Sequence, residues 1–121
     1  MILVDTSVWV EHLRRHDDRL VDLLERGDVT CHPFVIGELA LGSLKRRTEI
    51  LALLATLSMA PVVRDDEVLT LVEQRRLFST GLGWVDVHLL ASAVVTRTRL
   101  WTLDRRLGTA ARELGVAARP S

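Results

Sequence analysis

The sequence predicts one layered α/β domain in which helices cover a parallel sheet. The chain opens with four apolar residues, 1–4, that carry no charge and do not alternate with polar ones. Such a run is typical of a strand buried on both faces. A second, largely apolar run before Asp104 has the same form, and helical patterns fill most of the chain between the two. The length of 121 residues fits about one domain with its own core.

The composition favours an aliphatic core and excludes a strong overall electrostatic field of one sign. Hydrophobic residues make up 48% of the chain and aromatic residues only 4%. The formal net charge is zero, which weighs against a nucleic-acid binder that relies on charge alone but leaves a nuclease open. Lys45 is the only lysine among 16 basic residues, so 15 are arginines. Arginine suits phosphates and carboxylates, although GC-rich coding would explain this bias equally well.

Cysteine use and hydropathy point to a soluble cytoplasmic protein. Cys31 is alone, so neither an internal disulfide nor an all-cysteine zinc site is expected, and its thiol should lie in the core. No basic leader precedes the first strand, and no stretch reaches the roughly 18 apolar residues that a spanning helix needs.

Helices are predicted where apolar residues recur every three or four positions between capping and stop signals. Gly27 provides one stop signal, and Pro33 suits a first helical position. The predicted helices span residues 8–15, 18–26, 33–44, 48–58, 66–80, 85–98 and 105–114. The helix over 85–98 is apolar almost all round and should be the central buried one. The predicted strands span residues 1–4, 28–32, 61–63 and 100–104, with 116–118 as a further edge strand.

Two aspartates end strands of this predicted sheet. Asp5 follows the first strand and Asp104 ends the late one. Open α/β folds place ligand sites at the carboxyl edge of the sheet. Each aspartate could equally cap the helix that follows it, because a carboxylate accepts bonds from free helical N–H groups.

Two further acids lie on helices. Residues three and four positions from Glu38 are apolar or glycine, which predicts that Glu38 lies on the inward stripe of its helix. Burying a carboxylate is costly unless it is paired or binds a metal; a helix-edge position or a salt bridge to arginine is the alternative. Asp86 lies in the first turn of the central helix, where it could bind a cation or satisfy backbone donors.

The four acids together suggest a metal site. If the strands that carry Asp5 and Asp104 are neighbours, they lie about 4.8 Å apart, close enough for two carboxylates to share a divalent ion. Carboxylates without His or Cys partners form a hard oxygen site, which suits Mg²⁺ or Mn²⁺ rather than zinc. Crowded carboxylates also repel one another unless a cation is present.

Four segments resemble the successive motifs of PIN domains: residues 4–7 (VDTS), 35–39 (VIGEL), 86–93 (DVHLLASA) and 102–104 (TLD). The length and the early first motif resemble the VapC-type toxins of bacterial toxin–antitoxin pairs. The resemblance covers essentially the whole chain. It implies a single PIN-like domain over residues 1–121, built as a three-layer α/β/α sandwich around a parallel sheet of four to five strands. It also implies metal-dependent endoribonuclease activity, a homodimer and a cognate antitoxin that restrains the enzyme.

The resemblance also implies roles for individual residues. Asp5, Glu38, Asp86 and Asp104 match the acidic positions that serve as catalytic residues and metal ligands, and Thr6 and Thr102 match hydroxyl positions that support them. One position departs from the pattern. Many relatives carry another acid or His two residues after the last aspartate, whereas this chain has Arg106. The departure weighs against a second tightly held metal, and Arg106 could meet a phosphate instead.

The resulting hypothesis is an Mg²⁺- or Mn²⁺-dependent endoribonuclease in which metal-activated water attacks the phosphate and leaves a 5′-phosphate and a 3′-hydroxyl. The candidate RNA contacts are Arg14, Arg15, Arg46, Arg47, Arg105 and Arg106. Two alternatives stay open. A phosphorelay receiver is also a small parallel α/β domain with acids at strand ends, but it needs a lysine at a late strand end, and Lys45 lies between helices. A PIN-like RNA-binding module without catalysis is the other, against which the presence of all four acids argues.

Overall fold

The sheet has four parallel strands, and its first strand is central. The computed structural model describes residues 1–119. Within them the strands are β1 (Ile2–Val4), β2 (Val29–Cys31), β3 (Ser58–Met59) and β4 (Arg99–Trp101), in the spatial order β3-β2-β1-β4. The helices are α1 (Thr6–Arg15), α2 (Asp18–Glu25), α3 (Pro33–Leu41), α4 (Arg47–Leu54), α5 (Asp65–Gln74), α6 (Trp84–Thr96) and α7 (Arg105–Glu113).

The central strand is buried on both faces. Leu3 pairs with Thr30 on one side and with Leu100 on the other, and Val4 pairs with Trp101. Leu3 and Val4 are both 0% exposed. Because successive side chains of a strand point to opposite faces, helices must cover both faces of the sheet. The predicted three-layer α/β/α arrangement with four to five parallel strands is confirmed.

Helix α6 is the buried centre of the helical layers, as its sequence predicts. Residues 87–93, an unbroken run of seven, are all buried within it. Cys31 lies in the core at the end of β2 with 0% exposure, and burial raises the pKa of its thiol. Of the helices within residues 1–119, none is both long and apolar enough to cross a membrane.

The third strand lies earlier than predicted. The apolar residues 61–63 form no strand, and the predicted helix over 48–58 ends at Leu54, so that Ser58–Met59 can pair with β2. Pro61 lacks the N–H that a strand in a ladder donates. The ladder ends one residue before it, where the Ala60 N–H donates to the Cys31 carbonyl at 2.8 Å. The prediction from hydrophobicity alone therefore placed the third strand at the wrong residues.

Several other boundaries also differ. Strand β4 ends at Trp101 instead of residue 104, so Asp104 does not end the strand but follows it by three residues. Helix α3 stops at Leu41 instead of residue 44, because the backbone of Gly42 turns to an extended conformation. Helix α5 stops at Gln74 instead of residue 80, and Arg76 beyond it takes a left-handed φ of 54°. The predicted final strand over 116–118 is reduced to a single parallel bridge between Leu100 and Ala117.

Candidate metal and RNA site

Asp5 is held at the carboxyl edge of the sheet by two side-chain hydroxyls. The residue follows β1 directly, is 6% exposed and is the N-cap of α1. Its Oδ2 accepts hydrogen bonds from Ser7 Oγ at 2.6 Å and from Thr102 Oγ1 at 2.8 Å, and a longer one from the Ser7 N–H at 3.4 Å. Thr102 therefore contacts the carboxylate that the family resemblance assigns it to support.

Ser7 and Thr102 join the ends of β1 and β4 into one network. Ser7 Oγ accepts from the Leu103 N–H at 3.0 Å, and Thr102 Oγ1 accepts from the Asp104 N–H at 2.9 Å. Each hydroxyl thus donates to Asp5 and accepts from the backbone that leads to α7. The sequence singled out Ser7 only as the last residue of the motif over 4–7. Its position directly after Asp5 and Thr6 was the available signal for the larger role.

Glu38 lies at the rim of the site, and the prediction that it faces inward is wrong. Its side chain is exposed, whereas Val35 and Leu39 on the same helix are 0% and 2% exposed and form the inward stripe. Thr6 Oγ1 donates to Glu38 Oε1 at 2.6 Å, which ties α3 to the first turn of α1. Because Thr6 is next to Asp5 in the chain, this bond brings Glu38 to the same edge of the sheet as Asp5.

Asp86 is half-buried at the start of α6. Its Oδ2 accepts from the Gly83 N–H at 2.8 Å, in a capping arrangement. Burial is the main reason why the pKa of Asp86 is raised; the bond from Gly83 opposes the shift, and the negative charges of Asp5 and Asp104 add to it. The carboxylates of Asp5 and Asp104 therefore both lie close enough to Asp86 to act on its charge.

Asp104 is the N-cap of α7. Its side chain is exposed, and its Oδ1 accepts from the Leu107 N–H at 3.0 Å. The capping roles that the sequence allowed for Asp5, Asp86 and Asp104 are thus all present. Capping occupies only one oxygen of each carboxylate, however, and does not exclude a second role.

The four acids share one pattern of bonding. Asp5 and Asp86 use Oδ2, Asp104 uses Oδ1 and Glu38 uses Oε1 for their bonds to protein donors. Within residues 1–119, the second oxygen of each carboxylate has no hydrogen bond to the protein. In that same part of the chain, no group of three or more His, Cys, Asp or Glu side chains is arranged to hold a metal ion as placed. We call Asp5, Glu38, Asp86 and Asp104 the acidic cluster: each is anchored to the protein through one oxygen, but as placed they do not form a metal cage.

A row of four aromatic rings joins the two helices that carry Glu38 and Asp86. The ring centroids of His32 and Phe34 are 5.1 Å apart, those of Phe34 and His88 4.8 Å, and those of His88 and Trp84 4.6 Å. His32 caps α3 by accepting the Phe34 N–H on Nδ1 at 2.9 Å, and both histidines are 0% exposed. Burial, with a smaller contribution from His88, lowers the pKa of His32 to about 4. The row connects the starts of α3 and α6, the two helices that carry Glu38 and Asp86.

His88 is a core residue. Its Nε2 lies 3.2 Å from Asp65 Oδ1, but neither ring nitrogen makes a hydrogen bond of acceptable geometry in the described residues. The Asp65 carboxylate therefore lies near the ring of His88 without forming a hydrogen bond to it.

Two grooves flank the acidic cluster and divide the candidate RNA contacts. A cavity of about 710 Å³ beside Thr6 and Glu38 includes Arg14 and Arg46 in its lining, together with apolar residues of α1, α3 and α4. A second cavity of about 620 Å³ begins at Asp104 and includes Arg105 and Arg106.

The other two candidates are already engaged by the protein. Arg15 pairs with Glu11 at 3.5 Å, and Arg47 Nε donates to the Ala40 carbonyl at 2.9 Å.

Comparisons with known proteins agree with this architecture. Residues 2–113 match the PIN domain family. Two proteins named Ribonuclease VapC32, from Mycobacterium tuberculosis strains CDC 1551 / Oshkosh and ATCC 25618 / H37Rv, are each 60% identical over 118 residues, which cover 97% of this chain and 95% of theirs. The crystal structure of PAE2754 from Pyrobaculum aerophilum matches with a TM-score of 0.63 over 94% of both chains, at 18% identity, which supports the fold. The chain therefore belongs to the PIN domain family, among the VapC-type ribonucleases.

Proposed function

We propose that the protein is the endoribonuclease toxin of a type II toxin–antitoxin pair and that it hydrolyses RNA with Mg²⁺ or Mn²⁺. In this proposal Asp5, Glu38, Asp86 and Asp104 are the metal ligands and catalytic residues. The observation that carries it is the shared bonding pattern: one oxygen of each acid is anchored to the protein, and the other makes no hydrogen bond to any of residues 1–119. Two relatives at 60% identity carry the name ribonuclease.

The donor set fits a hard divalent cation. All four side chains offer carboxylate oxygens, which Mg²⁺ and Mn²⁺ prefer, and the buried His32 and His88 belong to the aromatic row rather than to this set. The negative charges of Asp5 and Asp104 already disfavour ionised Asp86, and a cation among them would offset that repulsion. When bound, the metal would polarise the scissile phosphate and lower the pKa of an attacking water.

The protein's own contribution is to hold the ligands still. Ser7 and Thr102 fix Oδ2 of Asp5, so that Oδ1 keeps one direction. Thr6 does the same for Glu38 through Oε1. Hydrogen bonds of this kind orient metal ligands and commonly change metal affinity or activity about 10- to 100-fold. Attack of water in line with the O3′ leaving group leaves a 5′-phosphate and a 3′-hydroxyl.

RNA contact is proposed for arginines on both sides of the acids. Arg14 and Arg46 line one groove, and Arg105 and Arg106 line the other. Arg15 and Arg47, which already have protein partners, would have to exchange them for phosphate.

A protein partner is part of the proposal. Leu41 on α3 and Leu53 on α4 are 91% and 67% exposed, and these two helices contact one another. Large exposed apolar side chains of this kind favour protein interfaces. We propose a cytoplasmic homodimer that is held inactive by a cognate antitoxin. Light scattering on the isolated protein, and on the protein expressed with its neighbouring reading frame, tests both partners.

The decisive experiment for the activity compares Asp5→Asn with Asp18→Asn. Asn keeps an oxygen that can cap α1, so the fold is expected to persist while Mg²⁺-dependent RNA cleavage is abolished. The Asp18 side chain is 96% exposed, and its change should leave cleavage intact. Undiminished cleavage by Asp5→Asn, or by the wild type in excess EDTA, would overturn the assignment. RNA binding without cleavage in any divalent cation would favour the inactive PIN-like module.

A further inference from the structure

We infer that Arg76, Arg105 and Arg106 form a subsite for a phosphodiester of the RNA strand next to the scissile one, and that Gly81 is the positioning residue for Arg106. We call this subsite the arginine groove. The inference rests on the proposed ribonuclease function and adds to it the place and the residues by which the strand is held.

The arginine groove is continuous with the acidic cluster. Its cavity is lined by Asp104, by one side of α7 along the whole helix, and by the segment over residues 76–82 that follows α5. Arg105 and Arg106 come from α7, Arg76 comes from that segment, and Thr80 and Thr109 add hydroxyls. An RNA strand whose scissile phosphate lies at the acids, and whose next nucleotides follow the arginine groove, therefore meets these guanidinium groups.

Arg106 is packed against the backbone of Gly81. A Cβ placed on Gly81 would lie only 2.9 Å from Cδ, Nε and Cζ of the Arg106 side chain. The φ of Gly81 is +84°, a conformation that favours glycine. Only a residue without a side chain therefore lets the Arg106 guanidinium lie in this position. A side chain at position 81 would push the guanidinium away from this wall of the groove.

The arginines of the groove lack protein anions. Elsewhere in the chain Arg15, Arg19, Arg26 and Arg64 pair with carboxylates. Within residues 1–119 neither Arg76, Arg105 nor Arg106 forms an ion pair, although Asp104 and Glu113 line the same cavity. Three guanidinium groups in one cavity repel one another, and a bound anion relieves that repulsion.

The lining favours a nucleic-acid backbone over a protein segment. The arginine groove offers forked guanidinium donors and hydroxyls, which are the groups that bind phosphodiesters. It also lies beside the acidic cluster. The opposite groove includes Val10, Leu13, Leu44 and Ile50 and is the more apolar of the two. An acidic peptide in the arginine groove is the competing occupant, and the experiment separates the two.

The test measures RNA binding in excess EDTA, where no cleavage is expected, by fluorescence anisotropy of a labelled single-stranded oligonucleotide. The variants are Arg106→Gln, Gly81→Ala and the control Arg97→Gln, which lies at the C-terminal end of α6 and has no ion pair in the described residues. Arg106→Gln should weaken binding about tenfold and reduce the slope of log K against log salt by about 0.7, the value of one phosphate contact on a single strand. Arg97→Gln should change neither.

Gly81→Ala should weaken binding by a similar factor, because the added methyl group displaces Arg106. In the Arg106→Gln background the same change should have little further effect, since the two act through one contact. Thermal unfolding of each variant separates this result from a loss of folded protein.

The outcomes distinguish the two proposals. A wild type that cleaves RNA, with Arg106→Gln identical to Arg97→Gln in affinity and salt slope, overturns the arginine groove and leaves the ribonuclease intact. A wild type that neither cleaves nor binds RNA overturns the proposed function itself. Unchanged RNA binding by Arg106→Gln together with weakened binding of a poly-glutamate peptide assigns the groove to an acidic protein segment and overturns the inference.

Discussion

Replacing Thr102 by Val removes one hydroxyl and nearly preserves the shape of the side chain, so it isolates the hydrogen bonds that this hydroxyl makes. Thr102 Oγ1 donates to Asp5 Oδ2 at 2.8 Å and accepts from the Asp104 N–H at 2.9 Å. A hydrogen bond to a charged group contributes about 1.5–3 kcal/mol to stability. Asp5 is only 6% exposed, so water replaces the lost donor poorly. We expect a loss of about 2 kcal/mol in the free energy of unfolding.

For a chain of this length, that loss corresponds to a decrease of about 8 °C in Tm. We also expect cleavage activity at fixed Mg²⁺ to fall about 10- to 100-fold, because Asp5 loses the donor that orients it. Urea unfolding and an RNA cleavage assay measure the two effects. Thr70→Val is the matched control: its Oγ1 donates to the Asp66 carbonyl within α5, away from the acidic cluster.

Thr102 and Asp5 should also be energetically coupled, because they share one hydrogen bond. In an Asp5→Asn background, Thr102→Val should cost less stability than in the wild type, since the bond to a charged acceptor is already lost. If Thr102→Val matched Thr70→Val in both stability and activity, the hydroxyl network would have no role in holding Asp5, and the account of the site given above would be refuted.

Three further predictions concern the metal, the buried histidine and the core. Mn²⁺ at about 100 times its Kd should stabilise the wild type by about 2.7 kcal/mol in thermal or urea unfolding, and it should stabilise Asp5→Asn far less; equal stabilisation of both would contradict the ligand set. The pKa of His32 is about 4 in the folded protein and 6.5 ordinarily. Between these two pH values the unfolded state binds more protons than the folded state. The stability that is present above pH 6.5 is therefore lost as the pH falls. Urea unfolding should show a loss of about 2 kcal/mol between pH 7 and pH 5, and this component should be absent in His32→Asn. Leu89→Ala, at a side chain that is 0% exposed in α6, should cost about 2–5 kcal/mol, and the exposed Leu53→Ala serves as its control.

The outline of the fold could be predicted because its strongest signals are local. The two-faced burial of β1 follows from an unbroken apolar run, and the buried position of α6 follows from apolar residues on all its sides. The third strand was missed because a two-residue edge strand needs no apolar character. Ser58 and Met59 are both exposed, and their pairing with β2 is what makes them a strand.

Individual positions in the site were harder to predict than its location. Glu38 was expected to face inward because its neighbours at helical spacing are apolar, yet a helix that packs through Val35 and Leu39 places Glu38 on its exposed side. Its link to the site is a bond to Thr6, 32 residues earlier. Periodicity describes one helix at a time, so it contains no information about such a partner.

The sequence by itself determined the layered α/β class, the central strand that leads to Asp5 and the buried α6, and it supplied the four acids that we propose as the metal site. These depend on residue type and short-range spacing, which local sterics and hydrophobic burial translate directly into structure. Only the tertiary structure decided which oxygen of each acid is anchored, that Ser7 joins β1 to the segment after β4, and that Arg106 packs on Gly81 beside Asp104. Those contacts join residues from 2 to 97 positions apart. They arise where the parallel order β2-β1-β4 brings strand ends and helix starts to one edge of the sheet.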